Sequence, residues 1–220
     1  MSVETSVLAR SKLFAGLGSN TANMLLKHAE IIRFEPRDFI VRENQRADAF
    51  FCVIQGYVRL FKTNEVGRAA DIRICEPRDT FAECLIGGGG IYAYNAQAAD
   101  NIVLARFNLD GVRRLAEEDR ALDRNIMQLM ADHLLVTMEC VASDRLQTAP
   151  QRVANYLLSQ CSPGKPSETV RLPYQKSLLA GKLGLAPEAL SRAFGSLKKA
   201  GVTVRGRTVR IDDIAALRQM

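Results

Sequence analysis

The chain of 220 residues has no apolar run near the roughly 20 residues that a membrane span needs, and its opening, MSVETSVLARSK, lacks the shape of a secretory signal. A cytoplasmic protein without a membrane partner is the expectation. Cysteine is sparse and scattered: Cys52, Cys75, Cys84, Cys140 and Cys161 make an odd number with no C-x-x-C pair, which argues against a disulfide framework and against a compact zinc or iron–sulfur centre. Cys52, Cys75 and Cys84 fall in expected strands and read as small core residues rather than redox thiols. Histidine is scarcer still, with only His28 and His133. No paired carboxylates, Ser/His/Asp set, Walker loop or metal cluster occurs at usable spacing, so the chain does not read as an enzyme and no metal is assigned. Low-complexity tracts are also missing. With 47% hydrophobic residues, the length suffices for one large or two modest ordered domains.

Negative charge is what the C-terminal third has little of. Residues 146–220 hold 12 Lys and Arg against 4 Asp and Glu, a net of +8. The first 145 residues hold 18 against 20, a net of −2, and the two together give the +6 of the chain. Such asymmetry suits a face that neutralises phosphates, because counterion release supplies most of the non-specific affinity for nucleic acid.

Within that basic third, Ser177–Ala200, SLLAGKLGLAPEALSRAFGSLKKA, reads as two short helices joined by a tight turn. Ala180 is small enough for a close helix crossing, and Gly184 enters the left-handed region cheaply. Leu179, Leu183, Leu185 and Leu190 supply the apolar seam, and Pro187 suits the first position of the second helix. Glu188, Ser191, Arg192 and Gly195 then form an i, i+3, i+4, i+7 outer stripe of base-reading types. After it, Val202–Ile211, VTVRGRTVRI, alternates about Gly206 as a small hairpin or wing. Arg205, Arg207 and Arg210 on the wing, with Lys176 and Lys182 on the first helix, are the candidate DNA-backbone contacts.

Upstream the texture differs. Residues Leu8–Ala29 look helical, broken at Gly16 and Gly18, with Ser19 or Asn20 as a cap. From Ile31 to Phe107 short apolar runs alternate with turns: Ile31–Phe34, Phe39–Val41, Phe50–Ile54, Val58–Phe61, Ile72–Ile74 and Val103–Phe107. Many short strands suggest a jelly-roll sandwich or barrel. Asp110 could cap a short helix through Leu115. A longer helix follows from about Asp119 to Leu146, without Gly or Pro and with too many apolar residues for one stripe. One side can pack on the barrel and another on a second copy in a parallel seam; Ile126, Leu129, His133, Val136 and Cys140 have the 3–4–3–4 spacing for it. Thr148-Ala149-Pro150 marks a hinge, Gln151–Cys161 an amphipathic helix, and Val170–Leu172 a short strand. The fold class is therefore α+β: residues 1–118 a β-barrel domain, to which the resemblance below assigns effector sensing, 119–146 a dimerisation helix, 147–220 a winged helix-turn-helix.

This arrangement resembles the Crp/Fnr superfamily of bacterial transcription regulators, whose barrel is cyclic-nucleotide-binding-like. Phe50–Lys62, FFCVIQGYVRLFK, is similar to the family's strand-Gly-strand pattern about Gly56, and Leu13–Leu17, Ile31–Ile40 and Glu43-Asn44-Gln45 to its barrel opening. Glu35-Pro36 and Asn44 stand where glycines are usual, and Asn44 tolerates the left-handed region. Leu172-Pro173 followed by Tyr174-Gln175-Lys176, Phe81-Ala82-Glu83 and Ala96-Gln97-Ala98 look like the Dnr/NnrR subgroup, linked to nitric oxide.

The resemblance implies a homodimer that binds double-stranded DNA, with RNA polymerase as a further partner. It also implies a Fnr-type reading head in Glu188, Ser191 and Arg192 and a palindromic operator of the TTGAT type. Two recognition helices would then enter successive major grooves roughly 34 Å apart. Arg192 can donate to guanine O6 and N7, Glu188 can accept from cytosine N4, and Ser191 can lie against thymine. Cyclic-nucleotide-binding members hold the phosphate with an Arg–Ser pair, but no Arg or Lys lies between Arg78 and Arg106 here, so cyclic AMP is rejected as effector. The N-terminal cysteine cluster of oxygen sensors is absent too. Haem, as a carrier of nitric oxide, is the cofactor the subgroup implies, and His133 is its candidate place. Glu83, Tyr92, Tyr94, Asn95, Gln97 and His133 form the expected effector pocket, and Gly87–Gly90 a flexible loop. The competing reading is a small-molecule-binding regulatory protein that acts by protein contacts without specific DNA binding.

Overall fold

A computed structural model describes residues 3–173 and 175–220; Tyr174 lies outside the described residues. The chain forms two units, one ending at Thr137 and one beginning at Met138.

The first unit opens with helix α1 (Val3–Leu8), a 3-10 turn at Lys12–Phe14 and helix α2 (Ser19–Lys27), which Gly18 rather than Ser19 or Asn20 precedes as N-cap. Strands β1 (Ala29–Phe34), β2 (Phe39–Val41), β3 (Ala49–Gln55), β4 (Val58–Thr63), β5 (Ala69–Cys75), β6 (Thr80–Phe81), β7 (Asn95–Ala98) and β8 (Ile102–Asn108) follow. They form two antiparallel sheets, β1-β8-β3-β6 and β2-β7-β4-β5, the two layers of the expected jelly roll. All six expected strands form. The two unexpected ones, β6 with two residues and β7 with the sequence NAQA, carry little of the β-branched and aromatic signal that marks a strand. Strand β3 is buried on both faces, and Phe50 stacks on Phe107 and Phe51 on Phe81, each with centroids 4.9 Å apart. Cys52 and Cys75 are core residues, as expected, and burial pushes each thiol up to about 12.

Helix α3 (Leu109–Glu118) is capped by Asn108, whose Oδ1 accepts from Gly111 N–H at 2.8 Å; Asp110, the expected cap, lies in the first turn, where its charge suits the helix dipole. Helix α4 (Arg120–Leu146) begins where Asp119 Oδ1 accepts from the Ala121 and Leu122 amides. Its residues Leu122, Ile126 and Leu129 are buried in the barrel core.

Two turns of identical sequence, Glu-Pro-Arg-Asp at 35–38 and at 76–79, brace the barrel in the same way. In each the Asp carboxylate accepts from the Glu amide, at 2.9 and 3.0 Å, and the Arg takes a positive φ, +77° and +81°. The two Arg amides donate to Ala98 O and Val53 O. Pro in second place and a left-handed third residue is the pattern of a type II turn. Asn44, at φ +66°, adopts the left-handed region as expected.

The second unit contains helix α5 (Ala149–Ser159), strand β9 (Glu168–Arg171), helices α6 (Lys176–Lys182) and α7 (Pro187–Leu197), strands β10 (Val202–Arg205) and β11 (Thr208–Ile211), and helix α8 (Ile214–Arg218). Gln151 Oε1 accepts from the Thr148 amide at 2.9 Å in a capping box that opens α5. The wing turns at Gly206, φ +59°, and β11 also pairs with β9, making the sheet β10-β11-β9. Among the described residues no helix is long and apolar enough to cross a membrane.

Gly56, between β3 and β4, has φ +80°, and a Cβ there would lie 2.6 Å from Asn101 O and 2.7 Å from Ile102 Cγ2. Gly56→Ala is therefore expected to destabilise the barrel by about 2–3 kcal/mol. Denaturant unfolding checks this, and an unchanged midpoint would contradict the close approach.

Candidate functional site

Helix α6 ends because Gly184, at φ +62°, turns the chain: Leu185 N–H donates to Ala180 O at 2.9 Å and Gly184 N–H to Gly181 O at 3.2 Å, a Schellman closure. Three residues later Pro187 opens α7 at its first turn. Leu190, Ala193, Phe194 and Leu197 are buried, which fixes the rotation of the helix and leaves Glu188, Ser191, Arg192 and Gly195 on the exposed face. The N-cap is Ala186, which has no side-chain acceptor, so the first amides of α7 keep unspent donors suited to an anion. Sequence reasoning had not assigned that feature.

The five expected backbone contacts are all exposed but differ in what they do. The Arg205 side chain has no hydrogen-bond or ion-pair partner among the described residues, its backbone pairing with Thr208 in the wing. Arg207 instead donates from Nε to Leu172 O at 3.0 Å and from Nη2 to Pro173 O, pinning the segment that leads into α6. Arg210 Nε pairs with Asp212 Oδ1 at 2.6 Å, an exposed pair that costs little to exchange for a phosphate. The Lys176 ammonium lies 5.8 Å from the Phe194 ring centre, and Lys182 ends α6.

Of the expected effector residues, the structure brings Glu83, Tyr94 and His133 together and leaves out the rest. Glu83 sits in a 3-10 turn (Glu83–Leu85) after Ala82, which holds φ +62°. Its side chain is 8% exposed; Oε1 meets His133 Nδ1 at 2.5 Å, and Oε2 is buried without a hydrogen-bond partner. Tyr94 accepts from Ala82 N–H at 2.8 Å, and burial pushes its hydroxyl pKa upward.

Tyr92, by contrast, is a core residue whose hydroxyl donates to Ala49 O at 2.9 Å. In β7 the side chains of Ala96 and Ala98 face inward, so Asn95 and Gln97 lie on the outer face. There they hold Glu43 N–H and Arg37 O at 3.2 and 2.9 Å. The Gly87–Gly90 run is tied down rather than left loose, since the Arg113 guanidinium donates to Leu85 O, Ile86 O and Gly89 O. Cys84, expected in a strand, is exposed in the 3-10 turn.

Burial is the largest influence on the Glu83 carboxyl and pushes its pKa up. The His133 hydrogen bond and charge, with a smaller contribution from Arg73, outweigh it and hold the group below its ordinary value of 4.5. Arg73 is a cation that the run from Arg78 to Arg106 does not contain; it reaches in from β5, where it pairs with Asp79 at 3.3 Å. Among the described residues no three His, Cys, Asp or Glu could hold a metal ion.

The expected dimer seam is corrected. Ile126 and Leu129, each 3% exposed, belong to the barrel core, and His133 turns to Glu83, so these three cannot line an interface between copies. Val136 and Cys140 of the expected seam remain exposed, as do Met127, Leu134, Leu135, Met138 and Val141; of these Met127, Leu134, Met138 and Val141 share one stripe with Ala131.

Comparisons with known proteins agree with this anatomy. The family model described as a cyclic nucleotide-binding domain matches residues 31–119, and that of a Crp-like helix-turn-helix domain matches residues 151–220. The nitrogen fixation regulation protein FixK of Bradyrhizobium diazoefficiens is 26% identical over 77% of this chain and 72% of its own. Among solved structures, a candidate cyclic nucleotide binding protein from Ruegeria pomeroyi is 30% identical over 99% of this chain and 96% of that one, with a TM-score of 0.66. The structure of DNR from Pseudomonas aeruginosa is 26% identical, with 100% and 98% of the two chains covered and a TM-score of 0.55.

Because the folded Glu83 pKa is depressed, the stability it contributes is complete above the unfolded value and is lost as pH falls through the folded one. Glu83→Gln is expected to flatten the fall in stability below about pH 4.5. Acid unfolding followed by circular dichroism measures this, and an acid limb as steep as in the wild type would contradict the pairing.

Proposed function

Given that the chain belongs to the Crp/Fnr family of DNA-binding transcription regulators, we propose that it is a homodimer that reads a palindromic TTGAT-like operator under the control of a small effector. The observation that carries this reading is the exposed Glu188, Ser191 and Arg192 stripe on a helix whose opposite face is locked in a basic unit. Such a regulator works on the chromosome, hence in the cytoplasm, with RNA polymerase as its further partner. Short matches around β6 and β7, and the likeness to DNR, favour the Dnr-like subgroup.

The effector site of this reading centres on Glu83, Tyr94 and His133. Cyclic AMP does not suit it: the cation beside Glu83, Arg73, is engaged with Asp79 and Thr80 O, leaving no free charge for a phosphodiester. Haem would be held here through His133, whose Nδ1 is engaged by Glu83, as carboxylates commonly do for metal-bound imidazole, so that Nε2 is the nitrogen left for iron. Bound there, the haem iron would supply the nitric-oxide ligand position. His28, the other histidine, packs on Gly111, where a Cβ would lie 2.4 Å from its ring.

Met127, Ala131, Leu134, Met138 and Val141 repeat at alternating spacings of four and three along α4, as a parallel two-stranded seam requires. Exposure of so many large apolar side chains on one helix supports a second copy as their cover. Leu134→Glu is expected to yield a monomer in sedimentation at micromolar concentration, with operator affinity falling too, because linked half-site binding is lost. A variant that still sediments as a dimer would contradict the seam.

For the reading head, Arg192→Ala is expected to remove the preference for the palindrome over a scrambled duplex while leaving salt-dependent binding nearly intact. Arg205→Ala is expected to weaken both duplexes alike and to lower the salt slope by about one unit. Mobility-shift titrations at several salt concentrations decide it, and an Arg192→Ala protein that still prefers the palindrome would overturn the assignment.

A further inference from the structure

The Schellman closure of α6 satisfies the carbonyls of Ala180 and Gly181 but leaves the Leu183 carbonyl needing a donor from elsewhere. That donor is Arg152, in the first turns of α5, whose Nη1 reaches Leu183 O at 2.9 Å. The same nitrogen pairs with Asp144, near the end of α4. The Arg152 side chain is only 14% exposed and its Nε is buried without a hydrogen-bond partner, so protein groups rather than water hold this cation. Asp144 also closes the space over the turn: a Cβ on Gly184 would lie 2.9 Å from Asp144 Oδ1 and 3.3 Å from Arg152 Nη1. The end of α4, the start of α5 and the turn of the helix-turn-helix thus meet at one guanidinium.

We propose that Arg152 and Asp144 form a clamp on the Leu183–Gly184 turn that sets the direction in which α7 leaves it, making both of them positioning residues for base reading. The proposal rests on the DNA-reading function argued above. Neither side chain belongs to the base-reading stripe. Both act through the backbone, because α7 begins three residues beyond Gly184 and any shift of the Leu183 carbonyl passes through that short link to Glu188, Ser191 and Arg192. Bidentate base contacts tolerate little angular error, whereas attraction to phosphates tolerates much. The clamp therefore bears on specificity more than on total affinity. Arginine suits the place because the two N–H bonds of Nη1 are held in the plane of a permanently charged guanidinium and so meet the carbonyl and the carboxylate at fixed angles; a lysine ammonium keeps the charge but not that plane.

The test uses the full-length wild type, Asp144→Asn, Arg152→Lys and the double variant, titrated by fluorescence anisotropy against a duplex with inverted TTGAT half-sites and a scrambled duplex of equal length. Thermal melting and amide hydrogen exchange at Gly184 and Leu185 are followed in parallel. Each single change is expected to lower affinity for the palindrome about tenfold and to leave the scrambled duplex within about twofold. The double variant should be no worse than the weaker single one, exchange at the two amides should quicken, and melting should stay cooperative. An unchanged ratio of the two affinities, additive losses, or equal losses on both duplexes with a lowered melting temperature would each overturn the clamp. A wild type with no preference for the palindrome would instead remove the functional reading, and the positioning role with it, whatever the exchange data show.

Discussion

A helix with apolar residues around most of its circumference has to be covered on more than one side, and helix α4 imposes that condition on this protein. Leu122, Ile126 and Leu129 meet it by entering the barrel core, where they share a continuous apolar interior with Phe50, Phe107 and Leu109. One turn further on, the same face carries His133 to the buried Glu83. Met127, Leu134, Met138 and Val141 remain exposed on another side. That second face is the one the proposed dimer would remove from water, bringing two recognition helices together in one molecule.

The two units solve opposite electrostatic problems. Around the buried Glu83 the groups are half-buried and nearly matched in pairs: His133 with Glu83, Arg73 with Asp79. One carboxylate oxygen there is left unsatisfied, which is costly in a low-dielectric interior. On the DNA-reading unit the charges are exposed and unbalanced, and burial acts only indirectly, by fixing the rotation of α7 through Leu190, Phe194 and Leu197. Its internal polar bonds do structural work: Arg207 holds the segment before α6, and Arg152 the turn after it.

Much of this was legible in the sequence where periodicity and special residues agreed. Gly184, Pro187 and Gly206 marked the helix-turn-helix and the wing because each is a residue whose backbone preference admits few alternatives. Where tertiary partners decide, the linear reading went astray. Ile126 and Leu129 have seam spacing, but 3–4 spacing describes any covered face and does not say what covers it. Strand β7 was missed because alanine and amides carry no strand signal, though Ala96 and Ala98 alternate as its two buried residues. That misplaced Asn95 and Gln97, which the β7 alternation turns outward. Arg73 went unnoticed since a cation ten residues away in sequence reaches Glu83 only once β5 is folded. The repeated Glu-Pro-Arg-Asp was a signal available in the sequence, two copies of one turn, with Arg37 and Arg78 taking left-handed backbone usually left to glycine.

In the proposed complex, Arg192 of α7 meets the guanine of each half-site. Methylation of guanine N7 removes the acceptor without changing the phosphates, so interference footprinting on the inverted TTGAT duplex tests it directly. N7 methylation of the single guanine of each half-site is expected to block binding, symmetrically on the two strands and about one helical turn apart. Binding indifferent to methylation at those two guanines, or blocked at only one of them, would contradict it.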